Sequence, residues 1–136
     1  MTYLVDANVL SEPTKQMPDP RVMEWLRVHE PDIAVNPIVL GDLRFGIRIL
    51  PKGRKRTALE HWFDAGVRRL QCLPWNADTG RKWAELLARL PTTGKAMPVK
   101  DTLIAATALV HGLAVATRNR ADFVNAGLRI VDPVVG

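Results

Sequence analysis

Cysteine is almost missing from this chain: Cys72 is the only one in 136 residues. A lone thiol excludes an internal disulfide framework and a cysteine-based zinc site. Long apolar runs are missing too, and no stretch approaches the roughly 20 residues that a membrane span requires. The chain enters an apolar strand at once, without the charged and apolar regions of a secretory leader. The expectation is a cytoplasmic protein with no membrane partner. Acids are in the minority, 14 Asp and Glu against 19 Lys and Arg, for a formal charge of +5. That balance favours a polyanion or an acidic protein as partner, and it singles out any acid placed at a strand end. Internal repeats, low-complexity tracts and linkers are absent as well. With 47% hydrophobic and 24% charged residues, residues 1–136 read as one globular domain.

What is present is an alternation of strands and helices. Tyr3-Leu4-Val5 reads as a buried strand that ends on Asp6, with Ala7-Asn8-Val9-Leu10 beyond it. Pro18-Asp19-Pro20 opens a helix over Arg21–Glu30 with Val22, Trp25 and Leu26 at helical spacing, and Pro31 stops it. Asp32–Val35 is a second strand. Asn36-Pro37 is a helix start, and the helix to about Leu50 carries Val39, Leu43 and Ile47 on one stripe with Asp42 beside it. Pro51-Lys52-Gly53-Arg54-Lys55-Arg56 is the one dense basic run, read as a loop. A helix near Thr57–Arg69 follows, with Leu59, Trp62, Phe63 and Val67 inward. Leu70–Leu73 makes a third strand. A helix capped by Asn76 or Asp78 ends near Leu90 and buries Trp83, Leu86, Leu87 and Leu90. A loop over Pro91–Lys100 leads to a helix opening at Asp101, which Gly112 terminates. Leu113–Thr117 is a fourth strand, Arg118–Phe123 a loop or short helical turn, and Leu128–Val131 a last strand. This alternation predicts an α/β fold, a mostly parallel sheet between helical layers.

Four positions share a topology. Asp6 ends the first strand, Asp42 lies one turn inside the helix after the second, Asp101 heads the helix before the fourth, and Asn119 with Asp122 follows the fourth. In an open parallel sheet ligands gather outside the carboxyl ends of the strands, so these groups converge if strands one, two and four are neighbours. Each alone has an ordinary role as a helix cap or first-turn acid. Together they would repel one another when buried, and a bound cation resolves that conflict. Oxygen donors without cysteine or suitably spaced histidines select Mg²⁺ or Mn²⁺ rather than zinc.

Four stretches in register carry a resemblance: Leu4-Val5-Asp6-Ala7-Asn8-Val9-Leu10-Ser11-Glu12, Leu40-Gly41-Asp42-Leu43-Arg44-Phe45-Gly46-Ile47, Asp101-Thr102-Leu103-Ile104-Ala105-Ala106-Thr107-Ala108 and Ala116-Thr117-Arg118-Asn119-Arg120-Ala121-Asp122-Phe123. In order, spacing and chain length the sequence resembles the PIN-domain ribonucleases, most closely the VapC-type toxins of bacterial toxin–antitoxin pairs. That family has a nearly invariant acid at the position of Asp6, a glutamate at that of Asp42 and an aspartate at that of Asp101. Its fourth polar ligand falls at or just after Asn119. Two positions depart from the pattern: Asp42 is one methylene shorter than glutamate, and Ala7 stands where threonine is common.

The resemblance implies a PIN-like three-layer α/β/α sandwich and metal-dependent hydrolysis of RNA phosphodiesters. Asp6, Asp42 and Asp101 would be catalytic, ligating Mg²⁺ or Mn²⁺ with Asn119 or Asp122 completing the set. Asn8, Arg118, Arg120 and the basic run with Lys52 and Arg54 would hold the RNA backbone. A cognate antitoxin as inhibitor and a homodimer are implied in the same way. Two other readings fit parts of the pattern. A catalytically silent PIN fold that binds RNA or protein is one. The other is an aspartyl phosphohydrolase, which asks for a second aspartate where Asn8 stands.

Overall fold

Tyr3–Val5 form the central strand of the sheet, β1, and the flanking chain is arranged about it. The structure, a computed structural model, describes residues 2–90 and 97–135. Leu4 and Val5 are both 0% exposed. Successive strand residues point to opposite faces, so both sides of the sheet are covered, as the unbroken apolar run requires. Ile33–Val35 form β2, Gln71–Cys72 β3, Ala114–Ala116 β4 and Ile130–Val131 β5. All pairings are parallel and the order is β3–β2–β1–β4–β5. Leu4 lies opposite Ala34 on one side and Val115 on the other. The winding therefore reverses at β1, and the carboxyl ends of β1, β2 and β4 lie side by side. The expected α/β sheet is present, parallel throughout.

Helices α1 (Ala7–Leu10), α2 (Pro20–His29), α3 (Pro37–Arg48) and α4 (Arg54–Ala65) lie in the first half. The second half has α5 (Ala77–Arg89), α6 (Val99–His111) and the short α7 (Arg120–Phe123). The stripe Val39, Leu43 and Ile47 is buried, which turns α3 so that Asp42 sits at the edge of its buried face. Ile104, Ala105, Ala106 and Ala108 on α6 are all 0% exposed, and α6 packs on α5, β1 and β4. Gly112 ends α6 with φ of 65°, a left-handed conformation that glycine adopts without a Cβ penalty. Each fully buried Leu or Val adds roughly 1.5–3 kcal/mol. Among the described residues no helix is long and apolar enough to cross a membrane.

Several boundaries differ from expectation. The basic run is only half loop: α4 begins at Arg54, because Arg and Lys are good helix formers once Pro51 is passed. Of the loop expected over Pro91–Lys100, residues 91–96 lie outside the described residues. Its end is helical, since α6 starts at Val99 and Asp101 is a first-turn acid rather than the head. Leu87 is 42% exposed, since the inward stripe of α5 runs through Thr79, half-buried Trp83 and Leu86 and leaves it to the side. The third strand shrinks to the exposed Gln71–Cys72 at the sheet edge.

Asn36 fixes where α3 begins. It is 0% exposed; its Oδ1 accepts from the Val39 N–H at 2.9 Å and its Nδ2 donates to Thr107 Oγ1 at 3.0 Å. Asn36→Ala should lower the unfolding free energy by about 2 kcal/mol, since it strands a buried donor and a buried hydroxyl. The exposed cap Asn76→Ala should lose only about 1 kcal/mol. Urea unfolding of both variants measures the difference.

Candidate active site

Asp6 follows the last residue of β1 and caps α1. Its backbone N–H still donates to the Ala116 carbonyl at 2.9 Å, which extends the β1–β4 ladder by one step. The carboxylate is 4% exposed; Oδ1 accepts from the Ala7 N–H at 2.8 Å and Oδ2 from the Thr117 hydroxyl at 2.9 Å. Thr117 Oγ1 in turn accepts from Asn8 Nδ2 at 3.3 Å and from the Asn119 N–H at 3.0 Å. A hydroxyl has one donor and two acceptor sites, so Thr117 uses its full capacity. Asn8 Oδ1 accepts from the Arg118 N–H at 3.1 Å. The start of α1 and the loop after β4 are thus joined by side chains more than a hundred residues apart in sequence.

Asp101 reaches the same cleft from α6 and is 5% exposed. Burial first, then the negative charges of Asp6 and Asp122, push its pKa up to about 6 from the ordinary 3.8. Asp6 is also raised, chiefly by burial, although its bonds from Thr117 and Ala7 and the charge of Lys100 oppose the rise. Asp42, on α3, acts on both acids. Among the described residues, the cation paired with one of them is Lys100. Lys100 Nζ donates to Asp42 Oδ2 at 3.1 Å. Burial draws the Lys100 pKa down, but Asp42, Asp6 and Asp101 more than offset it, so the ammonium is held charged.

The donor set fits a hard divalent cation in kind. Asp6 and Asp101 are buried carboxylates whose proton affinity is raised first by burial and further by neighbouring acids, Asp42 for both and Asp6 and Asp122 for Asp101, the mark of negative charge packed without enough countercharge. Among the described residues no three acid, histidine or cysteine side chains stand close enough to surround an ion as they are. Lys100 holds Asp42 instead.

The expected substrate contacts divide. Asn8 and Arg118 are tied into the chain, Asn8 through both its amide nitrogen and oxygen and Arg118 through Nη1, which lies 2.7 Å from Glu12 Oε1. Arg120 is exposed and donates to the Ile130 carbonyl at 3.3 Å. Lys52 is exposed on the α3–α4 connection and Arg54 is exposed at the first residue of α4. None of these three contacts the acids among the described hydrogen bonds and ion pairs. Asn119 is exposed at the start of α7, and Asp122 half-buried within it.

Sequence reasoning missed Thr117, Lys100 and Glu12. The adjacency of Lys100 to Asp101 was a usable signal, whereas Glu12 offered none, its partner Arg118 being 106 residues away. Glu12 is 1% exposed. It accepts from the Asp19 N–H at 2.9 Å, Lys15 at 3.1 Å and Arg118. The Asp19 bond, with the two cations, outweighs burial and holds its pKa below the ordinary 4.5. Beside the acids an apolar groove of about 340 Å³, lined by Ala7, Leu43, Ile47, Leu59 and Trp62, has Asp42 among its walls.

The two buried acids Asp101 and Glu12 should respond to pH with opposite sign. Asp101 has a raised pKa, so its ionisation destabilises the fold as pH rises from about 4 through about 6, by at most roughly 3 kcal/mol. Asp101→Asn should therefore gain stability relative to wild type at pH 8 and not at pH 4. A lowered pKa makes ionised Glu12 stabilising above 4.5 and loses that contribution as pH falls. Glu12→Gln should be weaker by roughly 2–3 kcal/mol at pH 7, with the gap closing in acid. Chemical denaturation across pH 4–8 without divalent ions distinguishes the two slopes.

With the geometry in place, comparison with known proteins is direct. The PIN domain family matches residues 3–127. VapC ribonuclease Y4jK of Sinorhizobium fredii is 36% identical over 134 residues, 96% of each chain. Toxin FitB of Neisseria gonorrhoeae is 32% identical over 134 residues, again 96% of each. The crystal structure of FitAcB from Neisseria gonorrhoeae superimposes with a TM-score of 0.90 at 31% identity, covering 98% of this chain and 99% of that one.

Proposed function

The chain belongs to the PIN domain family, and on that footing we propose that it is an endoribonuclease toxin held in check by a cognate antitoxin. The ribonuclease and toxin relatives support the activity. The observation that carries the reading onto this chain is the buried pair Asp6 and Asp101, brought together at the carboxyl edge of the sheet where its winding reverses. We further propose that the reaction depends on Mg²⁺ or Mn²⁺ held by Asp6 and Asp101, with Asp42 near and Asn119 or Asp122 completing the set.

When bound, such an ion supplies positive charge against the scissile phosphate and lowers the pKa of the attacking water. The protein's own part is preorganisation. Thr117 and the Ala7 N–H fix both oxygens of Asp6, so its carboxylate needs no reorientation. The buried position of Asp101 keeps water away and strengthens its electrostatic interactions. Water adds to phosphorus, the bond to the 3′ oxygen breaks, and that oxygen takes up a proton; the products are a 5′-phosphate and a 3′-hydroxyl. The 2′-hydroxyl is not a participant. The exposed Arg120, Lys52 and Arg54 are the groups we assign to backbone phosphates, a contribution that would fall with salt. The apolar groove beside Asp42 offers the antitoxin a surface that adjoins the acids, so one partner can fill the groove and block the cleft.

The test is cleavage of a pool of end-labelled structured RNAs by the purified chain with Mg²⁺ or Mn²⁺, with chelator, and by Asp6→Asn. Metal-dependent cutting is expected from wild type, with at least a hundredfold loss in Asp6→Asn and an unchanged circular dichroism spectrum. Equal cleavage by the variant would remove Asp6 from the mechanism, and cleavage that survives chelation would remove the metal.

A further inference from the structure

Glu12 is a buried carboxylate that has no part in the chemistry proposed above. It opens the short helical turn Glu12–Thr14 after α1, and its side chain is 2% exposed against 32% for its partner Arg118. Arg118 Nη1 donates to Glu12 Oε1 at 2.7 Å, across 106 residues of sequence. The same arginine is held a second time, because its backbone N–H donates to Asn8 Oδ1 on α1 at 3.1 Å. We infer that the Glu12–Arg118 pair is a positioning clamp for cleavage. It sets the loop after β4 so that the Thr117 hydroxyl stays on Asp6, and the Arg118 guanidinium serves that clamp rather than the RNA backbone. The inference rests on the ribonuclease reading above.

Two bonds from one residue to one segment fix both where that residue lies and how it is rotated. Both acceptors lie between α1 and the turn that follows it. Arg118 stands between Thr117, whose hydroxyl donates to Asp6 Oδ2 at 2.9 Å, and Asn119, whose N–H donates to that hydroxyl oxygen at 3.0 Å. A rotation at residue 118 therefore disturbs the donor that orients Asp6. The Thr117 N–H still belongs to the sheet, donating to the Val131 carbonyl, so it is the chain just beyond that needs fixing. Local structure there is slight: β4 ends at Ala116, and the Asn119 side chain makes no capping bond at the start of the short α7. Glu12 is secured from its own side, Oε2 accepting from the Asp19 N–H at 2.9 Å and Oε1 from Lys15 at 3.1 Å. The carboxylate is thus the anchor and Arg118 the part that reaches the loop. A charge-assisted bond to a buried acceptor is strong and short. Misplacing a group in the cleft slows the chemical step without weakening substrate binding.

The experiment measures kcat and KM with Mg²⁺ on an RNA that the wild type cuts, for wild type, Glu12→Gln, Arg118→Met, Arg118→Lys and the double variant Glu12→Gln/Arg118→Met. Amide hydrogen exchange of the same proteins without divalent ions reads the loop directly, and thermal unfolding checks each fold. The partly exposed Arg118 can be changed without opening the core, so the Arg118 variants decide the matter if Glu12→Gln does not fold. Expected in Arg118→Met is a kcat lowered about tenfold or more with KM within about twofold of wild type. Exchange at Arg118 and Asn119 should be faster than in wild type, with α5 unchanged. Arg118→Lys should recover part of kcat, and the double variant should be no slower than the worse single one, because both changes break the same contact. An unchanged kcat in Arg118→Met would overturn the inference, and a raised KM with it would make Arg118 an RNA contact instead. Losses that multiply in the double variant, or unchanged exchange in the loop, would overturn it as well. No cleavage of any RNA by wild type would overturn the ribonuclease reading and the inference with it.

Discussion

The hydrogen bond from Thr117 to Asp6 joins the two halves of this protein at the place where its winding reverses. β1 and β4 are neighbours in the sheet although more than a hundred residues separate them in sequence. Their backbone ladder continues one residue past β1, from the Asp6 N–H to the carbonyl of Ala116, the last residue of β4. The hydroxyl then fixes the carboxylate beyond the ladder's end. Because Thr117 also receives Asn8 and the Asn119 N–H, one oxygen atom sets the relative position of α1, β4 and the loop before α7. The rest of the cleft inherits its geometry from that node.

Two buried carboxylates show how differently the fold treats negative charge. Glu12 is enclosed by an N–H donor, a lysine and an arginine, and its ionised form is the stable one. Asp101 is as deeply buried but faces Asp6 and Asp122, and its ionised form is held at a cost. The first arrangement is structural, tying the turn after α1 to the loop that carries Asn119. The second stores a demand for positive charge in a fold whose net charge is already positive. Lys100 meets part of that demand from within the chain, and it does so at the acid that is partly exposed.

Much of the fold was legible in the sequence because the parallel sheet is buried on both faces and its strands are short unbroken apolar runs. Helix α3 could be placed to within a few residues from Asn36-Pro37 and its four-residue stripe, and Gly112 ended α6 as its position suggested. The errors fell at boundaries governed by weak local preferences. Arg54–Arg56 joined a helix instead of a loop, α6 began two residues early, and Leu87 faced outward. Asp6, Asp42 and Asp101 were legible as candidates from topology, since Asp6 ends β1, Asp42 lies inside the helix after β2 and Asp101 stands in the first turn of the helix before β4. The hydrogen bonds that Asn8 and Arg118 make within the chain were not, because their partners lie more than a hundred residues away in sequence.

By itself the sequence determined that this is an α/β chain of the PIN family with acids at the carboxyl edge of its sheet. Those properties depend on local hydrophobic periodicity, helix caps and the order of elements. Only the tertiary structure decided which groups meet there. Thr117 orients Asp6, Glu12 captures Arg118, and Lys100 pairs with the partly exposed Asp42. Such contacts depend on strand order and on which face each helix turns inward, and those are settled by packing the whole core at once.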